Sequence, residues 1–306
     1  MRQAVIDTIY DHMKQNENSF FLTGDLGYNT LETIQKDFPS RFINVGIAEQ
    51  NMIGIAAGLA KAGNKVFVYS IIPFLTMRCF EQIRNDLCYH NCDVVLLGTG
   101  AGLSYGILGS THFALEDVAV MTALPNMVVF SPCDEMEAVL GIKELLNNYH
   151  GPVYFRIGKK KEPTVYENAF PLKIGQGVVI MEGKDTTIFA NGSLVSESLL
   201  AVEALKKDGI AAALVDIHTL KPIDKHLILK FCQNKKVVFS VEEHSIFGGL
   251  GTAVAQVIAE AGLGTKLLRI GTDGNFVKLV GSQAYLREKL GFNAKGIAEK
   301  IKSFIL

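Results

Sequence analysis

Arg41-Phe-Ile-Asn-Val-Gly-Ile-Ala-Glu49-Gln50-Asn51-Met-Ile-Gly-Ile-Ala-Ala-Gly58 decides the fold. Its first four residues form a short β-rich run, and from residue 48 the apolar and small residues take helical spacing. A strand leading directly into a helix is the repeating element of an α/β layer domain. One carboxylate, Glu49, enters this run among Ile47, Ala48, Met52, Ile53, Ile55, Ala56 and Ala57. Burying a lone carboxylate costs several kcal/mol, roughly, unless it finds a partner. No Lys or Arg lies close in sequence. The partner must come from elsewhere in the fold, from another chain, or from a bound cofactor.

The same alternation extends outward. Strands are predicted at 20–23, 41–44, 65–70, 93–98, 127–130 and 153–156, with helices near 2–15, 48–62, 75–90, 115–122 and 134–147. Near-continuous apolar strands such as Val94-Val-Leu-Leu97 suit a parallel sheet covered on both faces. The pattern breaks at Gly158-Lys-Lys-Lys-Glu-Pro-Thr-Val-Tyr-Glu-Asn-Ala-Phe-Pro171, where charge, two prolines and lost periodicity indicate a linker. A second α/β unit follows, with strands at 177–180, 186–190, 211–215, 236–240 and 266–269. Its helices fall near 194–208, 224–232, 250–262, 281–290 and 294–304. The expected fold is therefore two α/β domains, 1–160 and 172–306, each a mostly parallel sheet flanked by helices and joined by a linker at 161–171.

Composition narrows the function. A chain of 306 residues with 48% hydrophobic side chains can build two cores. Thirty Lys and Arg against 31 Asp and Glu leave no charge excess that calls for nucleic acid or an anionic membrane. No apolar run reaches the roughly 18 residues of a membrane span, and the N-terminus lacks a signal-peptide pattern. The five cysteines, Cys79, Cys88, Cys92, Cys133 and Cys232, form no framework and no CxxC pair, which fits a reducing cytoplasm. Cys88-Tyr-His90-Asn-Cys92 matches no common zinc spacing. No metal ligands are expected on this chain.

Four further stretches could carry chemistry. Gly98-Thr-Gly-Ala-Gly102 follows a strand but opens no helix, so it lacks the context of a dinucleotide loop. Phe247-Gly-Gly-Leu-Gly251 lies between a strand and a helix, where it serves either as a tight turn or as an anion cradle. His112, in Gly109-Ser-Thr-His-Phe113, stands on a loop where open sheets place functional groups; it either contacts a substrate or is structural. Phe74, after Pro73 at a helix start, is either a core residue or one wall of a slot for a flat heterocycle.

The ordered set is more telling than any member. It comprises Thr-Gly-Asp25-Leu-Gly, Gly-Ile-Ala-Glu49-Gln, Pro-Phe74 with Glu81-Gln-Ile-Arg84, Gly-Ser-Thr-His112, Leu-Pro-Asn126-Met, Ser-Pro-Cys-Asp134-Glu, Arg156, and Val-Glu-Glu243-His244-Ser-Ile-Phe-Gly-Gly-Leu-Gly251. Together these resemble the C-terminal two-thirds of transketolases, and equally the matching part of 1-deoxyxylulose-5-phosphate synthases. The resemblance implies a pyrimidine-binding domain followed by a transketolase C-terminal domain, with thiamin diphosphate as cofactor. It implies that Glu49 hydrogen-bonds the aminopyrimidine and drives it to the tautomer that deprotonates the thiazolium carbon. By the same resemblance Phe74 stacks on the pyrimidine, and Asp25 and Leu26 border the cofactor. His112 contacts substrate hydroxyls and aids proton transfer, Arg156 anchors a substrate phosphate, and Arg78 is a further phosphate contact if one extra residue is allowed after Phe74.

The sequence departs from that family in three places. Leu108 and Ser110 replace the acid and proline of its Asp-Gly-Pro-Thr-His motif, and Gly100-Ala101 stands where a basic residue usually precedes the histidine. The Gly-Asp-Gly…Asn pattern that holds the diphosphate and its Mg2+ or Ca2+ is missing; Asp273-Gly274-Asn275 does not fit it. The expectation is a split enzyme, a dimer or α2β2 assembly in which a separate N-terminal subunit binds diphosphate and metal. The expected reaction is two-carbon ketol transfer between sugar or sugar-phosphate substrates. A β subunit of a 2-oxo-acid dehydrogenase or decarboxylase, and a non-catalytic regulatory paralogue, are the alternatives.

Overall fold

The computed structural model describes residues 1–305. Twelve strands form two sheets. They are β1 Ser19–Thr23, β2 Phe42–Asn44, β3 Lys65–Ile71, β4 Val94–Thr99, β5 Val128–Phe130, β6 Val153–Ile157, β7 Val178–Met181, β8 Thr186–Ala190, β9 Ala212–Asp216, β10 Thr219–Lys221, β11 Val237–Ser245 and β12 Lys266–Thr272. The first sheet runs β10-β5-β6-β4-β3-β1-β2 and the second β12-β11-β8-β9-β7. Each is parallel except for one antiparallel edge strand, β10 in the first and β7 in the second.

The parallel strands follow from their composition. Val94, Val95, Leu96 and Leu97 of β4 are wholly buried, as are Val66, Phe67 and Val68 of β3, because helices cover both faces. The helix Glu49–Lys61 returns the chain from β2 to β3 and buries Met52, Ile53 and Ala56 against the sheet. The segment expected as one helix over 75–90 is instead broken. It runs as Ile72–Thr76, Phe80–Gln82 and a wider π turn, Ile83–Cys88. That break turns the stretch 77–79 toward the helix start at Glu49, where the Gln50 amide donates to the Arg78 carbonyl at 3.0 Å.

Among the described residues three elements lack a sequence expectation: the short helix Glu32–Asp37, the single helical turn Gly106–Leu108 and strand β10. β10 belongs by chain position to the second α/β unit but completes the first sheet, pairing Thr219 with Phe130. The two halves are therefore laced together. Residues 158–177 between β6 and β7 hold no helix or strand, and Val165 and Tyr166 donate their backbone N–H groups to Asp134, both at 2.8 Å. Asp134 also caps the helix Glu135–Asn148 by accepting from the Glu137 N–H.

A buried acid pair lies at this seam. Glu137 comes from the first half and Asp216, ending β9, from the second; both are 0% exposed. Each has one oxygen engaged, Glu137 by the Cys133 N–H at 2.7 Å and Asp216 by the Tyr166 hydroxyl at 3.0 Å. The remaining oxygens of both lack any other partner. A carboxyl oxygen of each lies within 4.8 Å of the other, and two carboxyls this close, away from water, favour keeping a proton on the pair. Burial pushes Asp216 up to about 7, and burial with the neighbouring Asp216 holds Glu137 well above the carboxylate range. In the unfolded chain these acids release their protons near pH 4, so the folded state holds the extra proton between there and about 7. The pair's stabilisation is full below that window and is lost as pH rises through it. Thermal melts between pH 4 and 8 are expected to show this decline, and Asp216→Asn, which carries no charge to titrate, should make it shallower. An unchanged slope would show that the pair does not share a proton.

Candidate active site

The first sheet reverses strand order between β1 and β3, with β2 on one side and β4, β6 and β5 on the other. Open parallel sheets bind ligands outside the carboxyl ends of their strands at such a point. Gly24 and Asp25 follow β1, Glu49 follows β2, Phe74 and Arg78 follow β3, the loop with His112 follows β4, and Lys159 follows β6.

Glu49 is 2% exposed. Its Oε2 accepts from Arg78 Nη1 at 2.7 Å. The partner of the buried carboxylate therefore comes from elsewhere in the fold, 29 residues on. Arg78 thus pairs with Glu49 in this structure. Its guanidinium also lies over the Phe74 ring, 4.5 Å from the centroid. Phe74 in turn meets the His112 ring edge to face at 5.2 Å. Tyr105 lies 6.0 Å from His112, and the Lys159 ammonium caps Tyr105 at 4.4 Å. One continuous train of contacts thus joins Glu49, Arg78, Phe74, His112, Tyr105 and Lys159.

Gly24 closes the other flank: a Cβ there would stand 3.2 Å from the Gly46 carbonyl oxygen and 3.6 Å from Glu49 Cγ. Asp25 adopts a positive φ of 57°. Its backbone N–H donates to Asn44 Oδ1 at 2.9 Å, and its carboxylate accepts from the Tyr28 hydroxyl at 3.2 Å. The Leu26 carbonyl accepts from Thr23 Oγ1 at 3.0 Å. Asp25 and Leu26 line a cavity of about 150 Å³ with Tyr28, Phe42 and Asn44.

The His112 loop is held by both halves of the chain. Gly102 bridges to Ala114 at its base. The Ser110 hydroxyl donates to the Val277 carbonyl at 2.6 Å, and the Gly281 N–H to the Gly106 carbonyl at 3.1 Å. Gly100, at a φ of 95°, lies where any Cβ would strike the Tyr105 ring at 2.2 Å. The glycine-rich loop after β4 is thus a seat for Tyr105. Thr111 Oγ1 pairs with His112 Nδ1 at 2.9 Å. Burial, then the charge of Lys159, holds His112 below the usual histidine range, so it is a neutral base at neutral pH.

Arg156 lies inside the chain. It is 4% exposed and spends its fork inside the chain. Nε donates to Asp117 Oδ2 at 2.7 Å, and Nη2 to the carbonyls of Ala114 at 2.9 Å and Glu243 at 3.2 Å. Tyr154, two residues earlier on the same face of β6, donates its hydroxyl to Asp117 at 2.6 Å. Burial opposes charge on Asp117, but Arg156 and the approach of His244 outweigh it and hold the carboxyl below its usual value. In this structure Arg156 clamps the two halves together. Glu243 reinforces it, accepting from the Leu103 N–H, Gln283 and Arg287.

The loop before the helix Leu250–Glu260 also has an internal partner. The N–H groups of Leu250 and Gly251 donate to Glu242 at 2.7 and 2.8 Å. A carboxyl does occupy this cradle: it is the chain's own Glu242, which burial raises to about 7. Tyr105, Lys159 and Asp117 were not singled out from sequence. The available signal was Tyr154 and Arg156 at alternate positions of a buried strand, which demands a buried acid.

These residues fit part of a thiamin cofactor. A buried carboxylate beside an exposed edge, the Phe74 face and the closely packed Gly24 suit a flat aminopyrimidine. A diphosphate and its cation find no comparable set: the amide cradle is filled by Glu242, and the one cluster of metal-ligating side chains among the described residues, Cys133, Glu137 and Asp216, is sealed in the domain seam.

Comparison with known proteins gives the family. The transketolase pyrimidine-binding domain family matches residues 1–164 and the transketolase C-terminal domain family matches residues 175–297. A putative transketolase C-terminal section of Methanocaldococcus jannaschii is 42% identical over 304 residues, covering 98% of this chain and 95% of that protein. One of the named subunits of the apulose-4-phosphate transketolase of Phocaeicola vulgatus is 36% identical over 306 residues, covering 99% and 97%. A solved split-gene transketolase, described as an inactive beta4 tetramer, superposes with a TM-score of 0.90 at 36% identity, covering 99% and 97%. The paired α/β domains define a chain of the transketolase type. It belongs to the transketolase family, in the group whose C-terminal part is a separate subunit.

Two outcomes test this geometry. Arg156→Met leaves Asp117 charged and buried without its partner, so chemical denaturation should show a loss of roughly 3–5 kcal/mol. A loss under 1 kcal/mol, about what an exposed pair contributes, would contradict the clamp. Lys159→Ala removes a positive charge near His112, so the imidazole should titrate at higher pH in a histidine NMR titration. A shift to lower pH would contradict the contact train.

Proposed function

We propose that this chain is the C-terminal subunit of a thiamin-diphosphate-dependent transketolase, active only with a separate diphosphate-binding subunit. The observation that carries the reading is the convergence of Glu49, Phe74 and His112 at one strand-order reversal. When bound, the cofactor supplies the thiazolium carbanion that carries a two-carbon ketol unit from a ketose to an aldehyde. Glu49 would hold a proton at the aminopyrimidine ring nitrogen, in a water-poor site that strengthens that bond. Phe74 would cover the pyrimidine face, and Asp25 and Leu26 would border the cofactor. His112, neutral and bonded at Nδ1, would present Nε2 to a substrate hydroxyl and accept or return its proton.

The partner follows from what this chain lacks. With the Gly-Asp-Gly…Asn pattern missing and the amide cradle filled by Glu242, the diphosphate and its Mg2+ or Ca2+ belong to the other subunit. The Phocaeicola relative is named as one subunit of its transketolase, which supports a two-chain assembly, a dimer or α2β2. Sugar or sugar-phosphate substrates are proposed from the same relatives. Lys159, exposed beside Tyr105, is the cation best placed for an anionic substrate group now that Arg156 is accounted for. The transketolase names of the relatives favour this reading over a 2-oxo-acid dehydrogenase β subunit. The retained Glu49, Phe74 and His112 favour it over a non-catalytic paralogue. No described helix is long and apolar enough to cross a membrane, and a cytoplasmic location remains part of the proposal.

The test is reconstitution with a chain bearing the diphosphate pattern, assayed with ketose donors against 2-oxo acids. Ketose turnover is expected, falling about 100-fold or more in Glu49→Gln and in His112→Ala. Full activity of Glu49→Gln, or tight thiamin diphosphate binding by this chain alone, would contradict the proposal.

A further inference from the structure

Arg78 makes both contacts that the functional reading reserves for a thiamin pyrimidine. Its Nη1 donates to Glu49 at 2.7 Å, and its guanidinium carbon lies over the Phe74 ring, 4.5 Å from the centroid. A guanidinium is flat, cationic and a multiple N–H donor, so it satisfies a buried carboxylate and an aromatic face together. A protonated aminopyrimidine offers the same features. The two cannot occupy that space at once.

We propose that Arg78 is a built-in placeholder: it fills the pyrimidine position of the unassembled subunit and must leave before a cofactor can enter. This inference rests on the functional reading above. Several features of the chain support it. Glu49 is 2% exposed, so without a partner it would carry the full desolvation cost of a buried carboxylate. The Arg78 side chain is 43% exposed, so it can swing outward without disturbing the core. Its backbone is anchored by the Gln50 amide at 3.0 Å, which lets the side chain move while the chain stays put. The segment 77–79 lies in the break between two short helices, where no regular structure resists the change.

The consequence is competitive. A ligand whose site is open only part of the time binds more weakly by the open fraction. The unassembled subunit would thus be kept stable and closed to the cofactor. Contacts to the diphosphate, supplied by the other subunit, would then tip the exchange at Glu49.

The test uses thiamin without its diphosphate, titrated calorimetrically into the full-length chain. The forms compared are wild type, Arg78→Ala, Arg78→Gln, Arg78→Lys, and Arg78→Ala combined with Glu49→Gln. Arg78→Gln keeps an amide donor near Glu49, so a loss of folding in Arg78→Ala, checked by circular dichroism, leaves the comparison readable. Arg78→Ala and Arg78→Gln are expected to bind thiamin about tenfold or more tightly than wild type, with Arg78→Lys between. Adding Glu49→Gln should remove the gain. Unchanged or weaker binding by both Arg78→Ala and Arg78→Gln would overturn the placeholder, while Glu49-dependent binding of thiamin diphosphate by the assembled complex would leave the functional reading standing. Failure of every form, assembled complex included, to bind thiamin would overturn both.

Discussion

A carboxylate buried at the start of a helix constrains everything near it. Glu49 cannot stand alone at 2% exposure, and the chain is built so that it does not. The broken helix after β3 brings Arg78 back over Phe74 to reach it. Gly24 lets β1 pack against the Glu49 side chain from the other flank. The helix Glu49–Lys61 is then pinned by its apolar face, and β1, β2 and β3 all converge on one charged atom pair. A site that a cofactor can enter must also be stable without one. The Glu49–Arg78 pair meets both demands, because it is bonded on the inside and open on the outside.

Charge is handled the same way throughout the molecule. Asp117 is held by Arg156 and Tyr154, Glu243 by Arg287 and Gln283, Glu242 by two helix amides, Glu137 by the Cys133 N–H and Asp216 by the Tyr166 hydroxyl. Most of these sets tie together segments distant in sequence. Arg156 joins β6 to the Glu243 carbonyl, and Glu243 returns the link to Leu103 at the base of the His112 loop. The two halves thus behave as a single frame for the site, an arrangement that β10 reinforces by crossing into the first sheet. Such pairs add little net stability over apolar packing, but breaking one is costly, so they fix the relative placement of the halves.

Much of the fold was legible because central parallel strands must be apolar on both faces. Val94 to Leu97 and Val66 to Val68 announce themselves. β10 was not legible: Thr219-Leu-Lys221 is too short for its alternation to signal a strand, and it joins a sheet whose other strands lie far earlier. Glu49, Phe74 and His112 were legible as motif residues, and the structure brings them together. Their connections were not. Glu49 and Arg78 are 29 residues apart across a strand and a broken helix, and Asp117 and Arg156 are 39 apart. Periodicity reports which face of an element is buried, but not which distant charge meets it. Both arginines expected to hold phosphate are paired with carboxylates of the chain in this structure, and Lys159, in a stretch that resembles ordinary solvated charge, lies over the Tyr105 ring.

The central claim is that Glu49 acts on a bound aminopyrimidine rather than only stabilising the fold. The most direct measurement is the rate at which the thiazolium C2 proton of thiamin diphosphate exchanges with solvent deuterium in the assembled two-subunit complex. It is read by quenched NMR without any sugar present. The account predicts rapid exchange in the wild type and a fall of about 100-fold or more in Glu49→Gln, which keeps shape but not charge. Equal exchange rates in the two complexes would contradict it.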